Sequence, residues 1–196
     1  MMNKSTLSLG LALFLVSEIT GAMVCNQSGL KQASAPEVIK CFLENDYLGG
    51  RLGGKNSVFN PSFLTAWEGE AGWDMAVLTD SYDFKAIPCP AKSSKTAQCF
   101  KVNYKVWGTI TSGQEVIDPS ATVRMEHMEF LVDFQSKDAA WRVLNPEPFP
   151  PHVSISAMSK HLQKLVDDFN SSKKEKKSSW MNKLLKSLER LEKIKP

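Results

Sequence analysis

With 196 residues, 42% of them hydrophobic and five tryptophans, the chain can build one substantial core and is too apolar to be a disordered protein. The formal charge of +3 hides an asymmetry: nine basic and three acidic residues fall in 173–196, while 23–172 holds fourteen basic and seventeen acidic. A mildly acidic body with its excess basic charge confined to one tail argues against nucleic-acid binding.

The first 22 residues are expected to be a signal peptide. Lys4 supplies the charge, residues 7–16 are apolar, and Thr20-Gly21-Ala22 offers small residues for cleavage. A membrane span needs about 20 apolar residues, and this run stops at Ser17-Glu18. Val24 before Cys25 stands where lipid-linked processing wants a small residue, so the mature chain is expected to start near Met23. It would retain four cysteines. An even number in an exported chain points to two disulfides, and four cysteines allow three pairings. Cys89 and Cys99 bracket the polar turn PAKSSKTAQ between two strand-like runs, so they are the preferred pair, leaving Cys25 with Cys41 to pin the N-terminal arm. No C-x-x-C and no histidine at ligand spacing occurs, so no metal is expected.

Ser34-Ala35-Pro36-Glu37 reads as a capping box with proline in the first turn. Val38, Ile39, Phe42, Leu43 and Tyr47 then form one helical stripe, ended by Gly49-Gly50. Gly49, Gly54 and Lys55 match a phosphate-loop spacing, but Asn56 stands where Ser or Thr must hold magnesium and a helix precedes where a strand should. It reads as a helix end and a turn. A second, short helix is expected at SFLTAWEGE, capped by Asn60-Pro61.

The period then changes to two. SYDFKAIPC, QCFKVNYKVWGTI, ATVRMEHMEFLVDF and AAWRVL read as strands of a bent antiparallel sheet, which NPEPFPPH is expected to stop. Phe100, Val102, Tyr104 and Val106 share one face, and Lys101, Asn103 and Lys105 the other. SISAMSKHLQKLVDDF follows with Ile155, Met158, Leu162, Leu165, Val166 and Phe169 at helical spacing. The charged linker SSKKEKKSS leads to a last helix.

Helices followed by long antiparallel strands make an α+β layout. PEVIKCFLENDYL, GWDMAVLT, FKVNYKVWG and HMEFLVDFQSKDAAWRVLNPEP carry a resemblance to the nuclear-transport-factor-2-like superfamily, in particular its exported bacterial members, over residues 34–150. That resemblance implies N-terminal helices packed on a curved, cone-shaped sheet. The expected organisation is a signal peptide (1–22), an α+β domain (23–150), a docking helix (151–172) and a basic linker with a C-terminal amphipathic helix (173–196).

Some superfamily members run acid–base chemistry in the cone, which requires a carboxylate base and a hydroxyl or second acid as donor. Asp74, Tyr104, His127 and Glu129 are the parts available, and none matches a superfamily catalytic position, so no catalytic residue is assigned. Trp67, Trp73, Trp107 and Trp141 are core candidates, with Trp73 and Trp107 the exceptions that could line a ligand site. Trp107 is out of phase, on the polar side of its strand. Trp73, Asp74, Trp107, His127 and Glu129 are therefore the candidate ligand-binding residues, with Trp107, His127 and Glu129 expected at or near the rim of an apolar site on the concave sheet face. No cofactor is implied. Asn26 and Asn170 begin glycosylation acceptor triplets.

In the tail, Trp180, Met181, Leu184, Leu185, Leu188 and Leu191 recur at three- and four-residue steps, flanked by lysines. A solitary helix of this length is marginal in water and needs a partner surface. The charged linker favours an external one, a membrane surface or a protein groove, over the helix's own domain. The functional expectation is an exported, non-enzymatic binding module for a protein partner or a small apolar ligand. The alternatives are an isomerase- or hydrolase-like enzyme in a cone-shaped pocket and a membrane-surface adaptor working through the last helix.

Overall fold

The computed structural model describes residues 25, 27–53, 63–67, 73–111, 116–117, 122–146, 149–171 and 179–194. The expected signal peptide, both ends of the expected second helix, residues 54–57 of the glycine-rich stretch, Asn26 and most of the charged linker lie outside them.

A four-residue helix, α1 (Gln27–Leu30), precedes α2 (Ala35–Tyr47). Glu37 reaches back to accept hydrogen bonds from the Ser34 backbone N–H (2.7 Å) and hydroxyl (2.6 Å), so the first turn forms as the capping box requires. The buried residues of α2 are Ala35, Val38, Ile39, Cys41, Phe42, Leu43 and Asp46. Gly49, with φ of 83°, takes the left-handed conformation that ends the helix, and its N–H bonds the Asp46 carbonyl.

The strands are β1 (Met75–Ile87), β2 (Gln98–Thr111), β3 (Val116–Ile117), β4 (Arg124–Gln135), β5 (Ala140–Asn145) and β6 (His152–Ser154). They form one curled sheet in the order β5-β4-β2-β1-β6, with β3 on β2. Two expectations are corrected here. The prolines do not stop the sheet, because His152, Val153 and Ser154 return as a parallel strand beside Val77, Leu78 and Thr79, making the sheet mixed. SFLTAWEGE is not a helix over its described part, 63–67. Leu64 and Ala66 instead bond both backbone groups of Val143, extending the β5 edge. After β6 come α3 (Ile155–Ser171), whose Ala157 N–H is capped by the Ser154 hydroxyl at 3.1 Å, and α4 (Ser179–Lys193).

The sheet has a core on each face. α2 covers one, packing Val38, Ile39, Phe42 and Leu43 against Phe100, Val102, Tyr104, Phe130 and Val132. α3 and α4 cover part of the other, packing Met158, Leu162, Val166, Met181, Leu184 and Leu191 against Ala76, Leu78 and Ile110. One irregularity lets a single strand feed both cores. Leu78 pairs with Gly108 and Thr79 with Val106, so Trp107 is an extra residue, a bulge. Side chains alternate along a strand, and an extra residue flips the phase. Val106 therefore belongs to the first core and Ile110 to the second. Trp107 goes with the second core too, which accounts for the tryptophan out of phase with its strand.

The apolar stripe of α4, expected to meet an external surface, packs in part on the protein itself, with Met181 3%, Leu184 0% and Leu191 1% exposed. Leu185 lies on the shoulder, 44% exposed.

Both expected disulfides are present, Cys25–Cys41 and Cys89–Cys99, closing loops 16 and 10 residues apart. Each contributes roughly 3 kcal/mol in the chain-entropy treatment. The second staples the loop between β1 and β2, which is also tied to β4. The Ser94 and Thr96 hydroxyls donate to the Asp133 carboxylate at 2.7 and 2.6 Å. Burial alone would raise this carboxyl, but the bonds from Thr96, Ser94 and the Phe134 N–H hold it below the usual carboxylate range. Two disulfides and no free cysteine among the described residues suit an oxidising, exported environment, and no described helix is long and apolar enough to cross a membrane.

Candidate functional site

The helical stripe of α2 carries one carboxylate. Asp46 stands four residues after Phe42 and three after Leu43, so helical geometry drives it into the first core, where it is 1% exposed. A buried charge requires partners. Arg51, 4% exposed, pairs with it at 3.4 Å, and the His152 backbone N–H donates to the same carboxylate at 3.0 Å. Arg51 also donates to the Phe149 carbonyl at 2.6 Å and lies over the Phe149 ring, 4.8 Å from its centroid. The cluster thus joins α2, the turn after it and the segment entering β6.

His152 and Tyr104 complete it, with ring centroids 4.1 Å apart and planes inclined by 31°. The Nδ1 of His152 lies 3.0 Å from the Pro150 carbonyl, which can only accept, so Nδ1 carries the proton and Nε2 is left as an acceptor. Burial pushes the imidazole pKa down to about 4, against the opposing effect of the Pro150 bond. Burial, then the Asp46 charge, pushes the Tyr104 phenol well above its ordinary value, so it stays a donor. Neither His152 Nε2 nor Tyr104 OH has a hydrogen-bond partner among the described residues.

A measurable consequence follows for stability. An unfolded histidine takes up a proton near pH 6.5, while His152 in the fold resists until about 4. Between those values the unfolded chain binds more protons, so stability is full above about pH 6.5 and falls as the pH drops towards 4. The loss is expected to be on the order of 3 kcal/mol. Urea unfolding of wild type and His152→Phe between pH 7 and 4.5 checks it. The variant's curve should be flatter, and parallel acid limbs would refute the assignment.

The sequence-based candidates do not converge. Trp73 is half-buried, donates from Nε1 to the Leu52 carbonyl at 3.2 Å, and meets His161 edge-on at 5.9 Å. Trp107 is half-buried against the second core, its indole nitrogen buried without a partner among the described residues. Asp74 is exposed. His127 and Glu129 are exposed on the sheet face opposite α2, among polar neighbours of the described strands. Of the candidates, only Tyr104 enters the buried cluster.

His127 and Glu129 belong instead to a lattice set by strand register. Asp83, Asn103 and His127 are aligned across β1, β2 and β4. Asn103 donates to Asp83 at 2.6 Å, and its carbonyl oxygen lies 2.8 Å from His127 Nδ1. Beside this row run Lys85, Lys101 and Glu129, and on its other side Ser81, Lys105 and Met125. A cleft of ≈ 290 Å³ lies elsewhere, between Thr65, Trp67, Gln135, Lys137, Asp138 and Arg142, and its charged lining does not suit an apolar ligand.

Among known proteins, no family model, no curated protein and no solved structure matches the chain. Asp46 was not singled out from the sequence, although its spacing of four from Phe42 and three from Leu43 puts a charged residue on the α2 stripe. Arg51 and His152 carried no sequence signal, because their placement depends on β6 returning beside β1.

Proposed function

We propose that the protein is an exported, non-enzymatic binding module that recognises a protein partner through the open polar face of β1, β2 and β4. The observation that carries this reading is the hydrogen-bonded row Asp83–Asn103–His127, flanked by Lys85, Lys101, Lys105 and Glu129 on the same rigid sheet. Side chains already held by their neighbours lose little freedom when a partner binds, which favours recognition. Tyr104, Phe42, Phe100 and Phe130 are all 2% exposed or less, so the inside of the sheet is filled. An apolar ligand would have to displace core side chains.

The proposal includes a nuclear-transport-factor-2-like architecture, supported by α2 lying against a curled sheet of long antiparallel strands. The parallel β6 and the two helices that follow it depart from the expected pattern. Periplasmic or secreted residence is part of the same reading. The enzyme alternative is favoured by one observation, the unpartnered donor and acceptor on Tyr104 and His152. Their stacked rings could serve acid–base chemistry only if a substrate entered the filled interior.

The test compares wild type with Asn103→Ala/His127→Ala, each purified from the exported fraction of its native host. Wild type is expected to retain a protein that the variant releases, with equal stability of the two. Retention of the same protein by both, or of a small molecule seen by native mass spectrometry, would overturn the reading.

A further inference from the structure

Strand β1 is longer than its outer neighbour. It runs Met75–Ile87, but β6 pairs only with Val77, Leu78 and Thr79. The next carbonyl, that of Asp80, accepts the Tyr47 hydroxyl at 2.6 Å. Pro88, which has no N–H to offer a ladder, follows the strand. Between these limits lies a window, residues 81–87, in which β1 is the edge of the sheet. Among the described residues, no hydrogen bond reaches its backbone from the side away from β2. A seven-residue edge of this kind is a template for another strand.

The side chains of the window say which strand. Its midpoint is Phe84, and Asp83 and Lys85 flank it, both exposed and both on the open face of the sheet. A second copy of the window, turned antiparallel about a two-fold axis at Phe84, places every Asp83 opposite the other copy's Lys85. Two opposite-charge cross-strand pairs result, with Phe84 beside Phe84 on the other face. Shifting the copies by two residues in one direction sets Lys85 against Lys85, and in the other Asp83 against Asp83. A shift by one sets the exposed face of one copy against the core-facing side of the other. The charge order therefore favours one register and disfavours its neighbours. Asn103 already orients the Asp83 carboxylate, and Phe84, half-buried against Phe100 with centroids 6.1 Å apart, is held on its own side.

We propose that the 81–87 edge of β1 is a homodimer interface, in which two copies pair antiparallel about Phe84 to continue the sheet, with Asp83 opposite Lys85 twice. Such an isologous contact closes on itself and leaves no growing edge. It does not depend on which partner the open face takes, though it would make the two open faces continuous.

The test is sedimentation of the exported chain, disulfides intact, over about 5 to 300 µM. Wild type is expected to associate as a dimer. Asp83→Lys and Lys85→Asp each place like charges in both pairs, so each alone should dimerise at least about tenfold more weakly. An equimolar mixture of the two variants restores opposite charges in the heterodimer, and association should recover. Recovery also shows that neither variant has lost its fold. The proposal is overturned by a wild type that stays monomeric throughout, by single variants that associate as well as wild type, or by a mixture no better than its components.

Discussion

Replacing Arg51 with methionine is expected to destabilise the fold by about 3–5 kcal/mol. The guanidinium neutralises Asp46 in a core where both side chains are at most 3% exposed, and it bonds the carbonyl of Phe149. Methionine keeps much of the volume against Phe42 and Phe149 but leaves the carboxylate buried without that cation. If charge rather than packing is what matters, Asp46→Asn in the Arg51→Met background should recover most of the loss. The side-chain carbonyl of Asn can still accept from the His152 N–H. Urea unfolding of the two variants beside wild type reads this directly. A double variant no more stable than Arg51→Met would show that the ion pair is not the cause.

The last helix gives the second large effect. Leu184→Ala is expected to cost about 2–5 kcal/mol, because a side chain with no exposure leaves a cavity between α4 and α3. Leu185→Ala, one residue on and 44% exposed, should fall within about 0.5 kcal/mol of wild type. A helix working on an external surface would show no such contrast in the isolated protein, since neither leucine would be packed. Removing α4 altogether would uncover Met158, Leu162 and Val166 and is expected to yield an aggregation-prone chain.

How far the sequence could be read depends on whether a signal is local. α2, α3 and the long strands were legible because capping and period are properties of neighbouring residues. The disulfide pairing was legible because Cys89 and Cys99 sit at the ends of one hairpin. The unreadable features involve a return from a distance. Three residues after a proline-rich run show no strand period, yet His152, Val153 and Ser154 form β6 because β1 offers a free edge there. The 63–67 segment follows an Asn60-Pro61 cap signal, but its backbone pairs with Val143 of β5 and tertiary pairing prevailed. Trp107 gave a true signal with an incomplete explanation. Its phase error marks a bulge that hands β2 from one core to the other. The α4 stripe was read correctly as periodic, but the same period serves an external surface and the protein's own second core. The charged linker suggested detachment, although seven residues can also lead a helix back onto its domain.

Both sheet faces carry a core, and α4 belongs to the second. Hydrogen–deuterium exchange of the full exported chain tests this most directly, since amides in a docked helix open only with the fold, whereas those in an isolated helix exchange freely. Amides between Met181 and Leu191 should be protected to the same order as those of β2. Exchange of that helix within seconds, while β2 stays protected, would contradict the account.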